Sequence, residues 1–180
     1  VGFSLYTELL ERAVRSIRQG KLPDMDEPAY RGAEVELHAP ALIPEDYLPD
    51  VHTRLTLYKR ISSARDEDGL RELQVEMIDR FGLLPPAAKQ LFAVAELKLQ
   101  ATRLGIRKLN LGESGGRLQF VEQPQVDPMA VIRLIQGQPK HYRMDGPDKL
   151  RITLELPDAE ARLKVARGLL IALAPGAKGG

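Results

Sequence analysis

Hydrophobic positions in the first half of the chain recur every three or four residues, the spacing of one face of an α-helix. The first such segment, residues 3–18, is predicted to be an amphipathic helix. Residues 21–32 follow it, contain two prolines and several acidic side chains, and show no period, as is typical of a linker. We therefore predict that residues 1–19 are the terminal helix of a preceding domain and that residues 20–33 are a linker.

Three further helices are predicted before Gly105. Asp50 is placed to cap the first, and Gly82 stands where a left-handed C-cap would end the second. Pro85 and Pro86 favour the start of the third, because proline suits a first helical turn. The residues predicted to face inward are, helix by helix, Val51, Leu55, Tyr58 and Ile61; Leu70, Leu73, Met77, Ile78 and Phe81; and Leu91, Ala95, Leu99 and Thr102.

The hydrophobic period changes to two after Gly105, which predicts β-strands. A glycine-rich pentapeptide, residues 112–116, has the composition of a hairpin turn. Asp127 and Asp158 are each placed to cap a helix. The predicted elements of this half are strands at 106–111 and 117–121, a helix from 127, strands at 141–144 and 150–156, and a helix from 158.

One strand is predicted ahead of the helices. Residues 34–37 alternate between polar and apolar, and residues 41–43 are predicted to extend this strand beyond Pro40. With the ββα-ββα order of the second half, the pattern predicts an α+β fold: a three-helix N-terminal half, then ββα-ββα with an antiparallel sheet. We assign residues 34–174 to one C-terminal domain and residues 175–180 to a disordered tail.

Composition narrows the class of protein. The chain has 180 residues and a net charge of +1, from 26 Lys and Arg against 25 Asp and Glu. This balance disfavours a dedicated nucleic-acid binder, which usually carries a basic excess. The absence of cysteine excludes disulfides, thiolate zinc sites and cysteine nucleophiles. The longest apolar run, residues 169–174, is far too short to span a bilayer, so we expect a cytoplasmic chain.

One segment has the spacing of a catalytic motif. Gly112-Glu-Ser-Gly-Gly116 fits the G-x-S-x-G pattern of a nucleophile elbow, with Ser114 at the centre and His52 available elsewhere. The elbow requires a helix after the serine, whereas a strand is predicted to follow it here. A chymotrypsin-like protease would need a double β-barrel, which the predicted helices exclude. We therefore interpret the segment as a hairpin tip and predict no catalytic residue.

Metal and nucleotide sites are not indicated either. His38, His52 and His141 are too far apart in sequence to form a local metal motif. The chain also has no phosphate-binding loop of the G-x-x-x-x-G-K-[ST] type. We predict no metal ligand and no cofactor-binding residue, and hence no enzyme in this domain.

Two groups of basic residues are candidates for contacts with nucleic acid. Both also have structural explanations, since they lie on a predicted helix or around a helix C-terminus, where the dipole favours cations. The groups are Arg54, Lys59, Arg60 and Arg65, and Arg103, Arg107 and Lys108.

A further charged group lies on the second predicted helix. It consists of Glu72, Glu76, Asp79 and Arg80. Their spacing of four, three and one places them on the side away from the apolar stripe. This face is either a solvated surface with an internal Glu76–Arg80 pair or a polar docking face for another domain.

Several segments resemble the C-terminal domain of bacterial transcription-repair coupling factors. The similarity extends over about residues 30–173, and residues 1–18 look like the last helical piece of the motor in that family. The segments that carry the resemblance are residues 43–61, 75–86, 104–108 and 141–147.

The resemblance implies a function for the longer protein and for this part of it. The family's full-length protein is an ATP-driven translocase on double-stranded DNA that removes stalled RNA polymerase and recruits UvrA. The resemblance implies that ATP and magnesium bind only in the motor, and that polymerase and DNA are contacted through other domains.

For the C-terminal domain, the resemblance implies a non-catalytic, autoinhibitory role. The domain would pack on the UvrB-like module of the same polypeptide, mask the UvrA site and restrain the motor. The family's interface residues would correspond to Glu76, Asp79 and Arg80, with Glu72 on the same face. Two alternatives stay open: a DNA-contacting accessory module, and a docking domain for an external protein.

Overall fold

The structure, a computed structural model, describes residues 32–176, and the predictions for residues 1–31 and 177–180 lie outside this range. Along this part of the chain, three helices follow the first strand and precede the other four strands. The elements are β1 (Glu34–Glu36), α1 (Val51–Ser62), α2 (Glu67–Phe81), α3 (Pro86–Leu104), β2 (Ile106–Gly112), β3 (Gly115–Phe120), α4 (Pro128–Gly137), β4 (Tyr142–Met144), β5 (Lys149–Thr153) and α5 (Ala159–Leu173).

Aspartate side chains begin four of the five described helices, as capping chemistry predicts. Asp50, Asp127 and Asp158, all predicted caps, accept hydrogen bonds from backbone N–H groups of the first turn. Asp66 does the same for α2. Helix α3 begins instead with Pro86 and ends, as predicted, at Gly105, which is left-handed with φ 72° and ψ 38°. Gly82 does end α2, but the prediction of a left-handed cap there is wrong, because its φ of 97° is combined with an extended ψ of −175°.

The sheet has the strand order β1-β2-β3-β5-β4. Its two hairpins, β2–β3 and β4–β5, are antiparallel and confirm the predicted ββα-ββα order. Strand β1 pairs in parallel with β2, so the sheet is mixed rather than wholly antiparallel. Parallel neighbours need a long crossover, and here the crossover consists of α1, α2 and α3.

The predicted extension of β1 through residues 41–43 is wrong. The strand ends before His38, a non-glycine residue with a positive φ of 53°. The backbone N–H of Leu42 then bonds to the carbonyl of Ala87, and that of Ile43 bonds to the Tyr58 hydroxyl. These donors are thus used by α3 and α1 rather than by a sheet neighbour.

Two hydrophobic clusters form the core, and α3 contributes to both. Phe92 of α3 packs with buried residues of α1 and α2, including Leu57 and Met77. Leu97 and Ala101, one and two turns later, pack with the sheet, α4 and α5. The helix therefore joins the all-helical cluster to the sheet cluster.

Some residues predicted to face inward do not. In α1, Val51 is 58% exposed and Leu55 39%, and Leu57 takes their place in the core beside the correctly predicted Ile61. Ile78 of α2 is also exposed. In α3 the fully buried residues include Phe92, Leu97 and Ala101, whereas the predicted Leu91, Ala95 and Leu99 are only partly buried against the helical cluster and Thr102 is exposed. A helix with apolar side chains on several sides has no single stripe, so periodicity alone did not identify its most buried residues.

The described helices cover only one face of the sheet, and we call the other its uncovered face. Side chains such as Leu109, Leu118 and Leu150 are fully buried on the covered face. None of the described side chains on the opposite face is buried. Antiparallel sheets commonly keep one face in water. No described helix is long and apolar enough to cross a membrane.

Arg162 of α5 is the one charged residue that is buried within the described range, at 6% exposure. Its guanidinium donates hydrogen bonds to three backbone carbonyls, those of Leu156 (2.9 Å), Leu37 (3.0 Å) and His38 (3.2 Å). Leu37 and His38 follow β1 directly. Arg162 therefore fastens the end of β1 to α5.

Candidate interdomain face

The outward side of α2 is set by its buried residues. Leu70, Leu73 and Met77 point into the core. At 100° per residue, Glu72 and Asp79 then lie on the opposite side, and both are exposed. Glu76 and Arg80, the other two predicted face residues, lie toward α1. The structure thus places Glu72 and Asp79 on the outer side of α2 and Glu76 and Arg80 on the adjoining flank. We call this surface, with Val75, the α2 face.

Val75 is the member of this face that sequence reasoning missed. It is 54% exposed and lies three residues after Glu72 and four before Asp79. An apolar side chain between two carboxylates is a common composition for a protein contact, with an apolar centre and a polar rim. The helical phase of α2 is the signal that identifies it, because Val75 lies on the same side as Glu72 and Asp79.

Glu76 is held by two cations. Arg60 of α1 donates from Nη1 to Oε2 (2.5 Å) and from Nη2 to Oε1 (3.1 Å). Arg80, one turn further along α2, lies 3.5 Å from Oε2. The Arg60 hydrogen bonds are the main cause that lowers the pKa of Glu76. The predicted Glu76–Arg80 pair therefore exists, but the bidentate partner comes from another helix.

The C-terminal end of the face is also packed. The Arg80 guanidinium carbon lies 4.8 Å from the centroid of the Phe81 ring, within the range of a cation–π contact. Phe81 meets Tyr47 edge-to-face at 6.2 Å. The Tyr47 hydroxyl donates to the carbonyl of Gly82 at 2.8 Å. These contacts orient the cation at one end of the face.

Glu72 and Asp79 differ from Glu76, because neither makes an ion pair with another described residue. The α2 face therefore offers two available carboxylates around Val75, together with an oriented carboxylate and an oriented guanidinium. Such a surface fits a partner that has a basic surface and an apolar contact for Val75.

Arg60→Gln should raise the pKa of Glu76 toward the ordinary value of a glutamate, because it removes the hydrogen bonds that lower it most. A carboxylate whose pKa is lowered on folding stabilises the protein above its unfolded-state pKa, and this contribution is lost as the pH falls through the folded-state pKa. The Glu76 carboxyl should therefore titrate at higher pH in an NMR titration of the variant. Arg71→Gln, which removes a pair to Asp68 on the same helix, should leave it unchanged; equal titration in both variants would contradict the assignment.

The residues of the rejected motifs lie apart. Ser114 occupies the tip of the β2–β3 hairpin, so a strand follows it as predicted. His38 contacts Asn110 of β2, near one edge of the sheet, and His141 contacts the carbonyl of Thr153 of β5, near the other edge. Within residues 32–176, no group of three or more histidine and acidic side chains is close enough to hold a metal ion.

Several of the seven candidate nucleic-acid contacts have internal partners, including Lys108, which pairs with Glu34 at 4.0 Å. Arg54 donates to the carbonyls of Leu48 and Pro49, and Arg60 to Glu76. Arg103 forms a bidentate pair with Glu67 at 2.7 and 2.8 Å. These contacts support the structural explanation for both basic groups.

Comparison with known proteins gives one consistent family. Residues 37–131 match the family described as the TRCF domain. The chain is 48% identical to the transcription-repair-coupling factor of Escherichia coli over 93% of its own length and 44% identical to that of Haemophilus influenzae over 97%. It is 33% identical to the Bacillus subtilis protein over 86%. It spans only 14%, 15% and 13% of these relatives, respectively.

One solved structure has the same fold. It is described as the C-terminal domain of a transcription-repair coupling factor and aligns with a TM-score of 0.64 at 21% sequence identity. The alignment covers 78% of this chain and 89% of the solved one.

Proposed function

Because this chain belongs to the transcription-repair coupling factor family and has the fold of that family's C-terminal domain, we propose that it is a non-catalytic regulatory domain of a longer protein. Residues 34–174 dock on the UvrB-like module near the N-terminus of the same polypeptide. The docked domain masks the UvrA-binding surface of that module and restrains an ATP-driven DNA translocase. The domain itself needs no cofactor; ATP and magnesium act in the motor, and RNA polymerase and DNA bind elsewhere in the protein.

The observation that carries this proposal is the composition of the α2 face. Three carboxylates and one guanidinium surround Val75, and two of the carboxylates, Glu72 and Asp79, make no ion pair with described residues. Charged groups fix the register of a contact without the permanence of a large apolar seal. A contact that must open during a functional cycle needs this property.

Tethering allows such a contact to be weak and still stay closed. Two surfaces on one polypeptide meet at a high effective concentration, which is set by the length of the chain between them. The domain therefore needs little affinity as a separate molecule. Engagement of the motor with polymerase can then release the contact at a small cost in free energy.

Replacing Glu76, Asp79 and Arg80 together by alanine in the full-length protein should release the restraint, because it removes the charged contacts of the face. We expect the affinity for UvrA to rise about 5-fold or more, the lower end of a typical coupling between sites. Basal ATP hydrolysis should rise as well. Both are measured on the full-length protein, by equilibrium binding and by a steady-state ATPase assay.

A matched control has the same change of charge on another surface. Glu155, Glu160 and Arg167 are exposed and form no ion pair with described residues, and their triple alanine variant should behave as the wild type. The isolated chain should also bind the separately expressed UvrB-like module, and the α2-face variant should not. Unchanged UvrA affinity and ATPase in a folded α2-face variant would disprove the proposal.

A further inference from the structure

The register of the sheet places three arginines side by side on its uncovered face. Arg117 of β3 is directly opposite Arg151 of β5, and Arg151 is directly opposite Arg143 of β4. Neighbouring strands are about 4.8 Å apart, so the row crosses three strands within about 10 Å. We call these three residues the arginine row.

Like charges directly opposite each other destabilise a sheet. One carboxylate compensates for this in the row: Oδ2 of Asp145, which lies 3.4 Å from Nη2 of Arg117 and 3.3 Å from Nη2 of Arg151. Arg143 makes no ion pair with any described residue. Two of the three guanidiniums thus share one carboxylate oxygen, and the third has no carboxylate partner among the described residues. Most of the donors of the row are therefore available to an anion.

The same line of side chains continues to the β1 edge of the sheet, where it ends in a side chain of the opposite charge. Arg117 is opposite Asn110 of β2, and Asn110 is opposite Glu36 of β1. In the next line on this face, Glu34 of β1 is opposite Lys108 of β2 and pairs with it at 4.0 Å, and Lys149 of β5 ends the line. The carboxylate of Glu36 therefore makes the β1 end of the first line acidic, and the arginine row makes the β4 edge basic.

We propose that the arginine row binds an acidic segment of a partner protein. Guanidinium groups pair with carboxylates in a planar, bidentate geometry, and three adjacent ones can take several acidic side chains in succession. A protein segment can also carry a basic residue where Glu36 lies, which matches the polarity of the face.

Nucleic acid fits this face less well. A phosphate backbone is negative throughout and would meet the carboxylate of Glu36, in line with the row, with like charge. Single-stranded nucleic acid binds sheets through stacking on aromatic side chains, and no strand residue on this face is aromatic. The arginine row lies on the sheet, away from the α2 face, so the proposal does not depend on the proposed interdomain contact.

The test uses the whole 180-residue chain, labelled with nitrogen-15, and a short glutamate-rich peptide as the probe. We expect the peptide to shift the NMR signals of the three arginines and Lys149. Arg143→Glu should weaken this binding about tenfold, because it reverses one of the three charges of the row. The variant should fold normally, since Arg143 is exposed and the new carboxylate would face Arg151.

Arg167→Glu is the matched control, since it makes the same change of charge at an exposed position of α5. It should leave peptide binding unchanged. Equal weakening by both variants would mean a nonspecific effect of net charge and would overturn the proposal. A peptide that shifts no signal of the row would overturn it too, and so would a DNA duplex that binds the row as well as or better than the peptide.

Discussion

Replacing Arg162 by methionine should lower the free energy of unfolding of the chain by about 3 kcal/mol. The guanidinium donates to three backbone carbonyls while only 6% of the residue is exposed. Methionine keeps much of the apolar stem, but it leaves the carbonyls of Leu37 and Leu156 without this donor. Each buried group left without a partner costs about 1–3 kcal/mol. The variant no longer has the free-energy cost of burying a charged guanidinium, and this gain offsets part of the loss.

Urea unfolding followed by circular dichroism measures this loss. Arg167→Met, on the exposed side of the same helix, is the control and should change stability by about 0.5 kcal/mol or less. Hydrogen exchange adds a local test: residues 34–36 should exchange faster in the Arg162 variant, because the end of β1 is no longer held. Equal stability of the two variants would show that water satisfies the three carbonyls.

Replacing Gly116 by alanine should cost about 3 kcal/mol or more, through a clash that no side-chain movement relieves. A Cβ atom at this position would lie 1.8 Å from the carbonyl oxygen of Asn110 and 2.8 Å from its carbon. Both atoms belong to the backbone of β2, so the β2–β3 pair would have to separate. Thermal or urea unfolding of the variant, compared with the wild type, measures the cost.

Gly168 provides the opposite case in the same chain. It lies inside α5, and a Cβ atom there would meet nothing within 4 Å. Gly168→Ala should therefore stabilise the chain by about 0.5–1 kcal/mol, because alanine loses less conformational freedom in a helix. If Gly116→Ala were as well tolerated as Gly168→Ala, the close approach of β2 and β3 would be disproved. The contrast also accounts for Gly116, the last glycine of the G-x-S-x-G pattern, by the packing of two backbones, without a nucleophile.

Features that depend on neighbouring residues were predictable from the sequence. Asp50, Asp127 and Asp158 cap helices, and Gly105 ends one, because capping is chemistry between residues a few positions apart. The glycine-rich turn and the change of period predicted the β2–β3 hairpin for the same reason. The resemblance of residues 43–61 and 75–86 to transcription-repair coupling factors is confirmed by the family match.

Features that depend on distant residues were not predictable. The parallel pairing of β1 with β2 joins residues more than 70 positions apart, and no local pattern encodes it. The Arg60–Glu76 pair connects two helices whose relative rotation is set by the packing of Leu57 and Met77. The arginine row requires the register of three strands, which is known only when the sheet is complete.

Helix α3 makes the two cores a single cooperative unit. Its 19 residues extend about 28 Å, with Phe92 held in the helical cluster and Leu97 and Ala101 held in the sheet cluster. The first turns cannot unwind without exposing one core, and the last turns cannot unwind without exposing the other. A force applied to the α2 face is therefore transmitted to the sheet along a continuous rod, and the domain resists it as a whole.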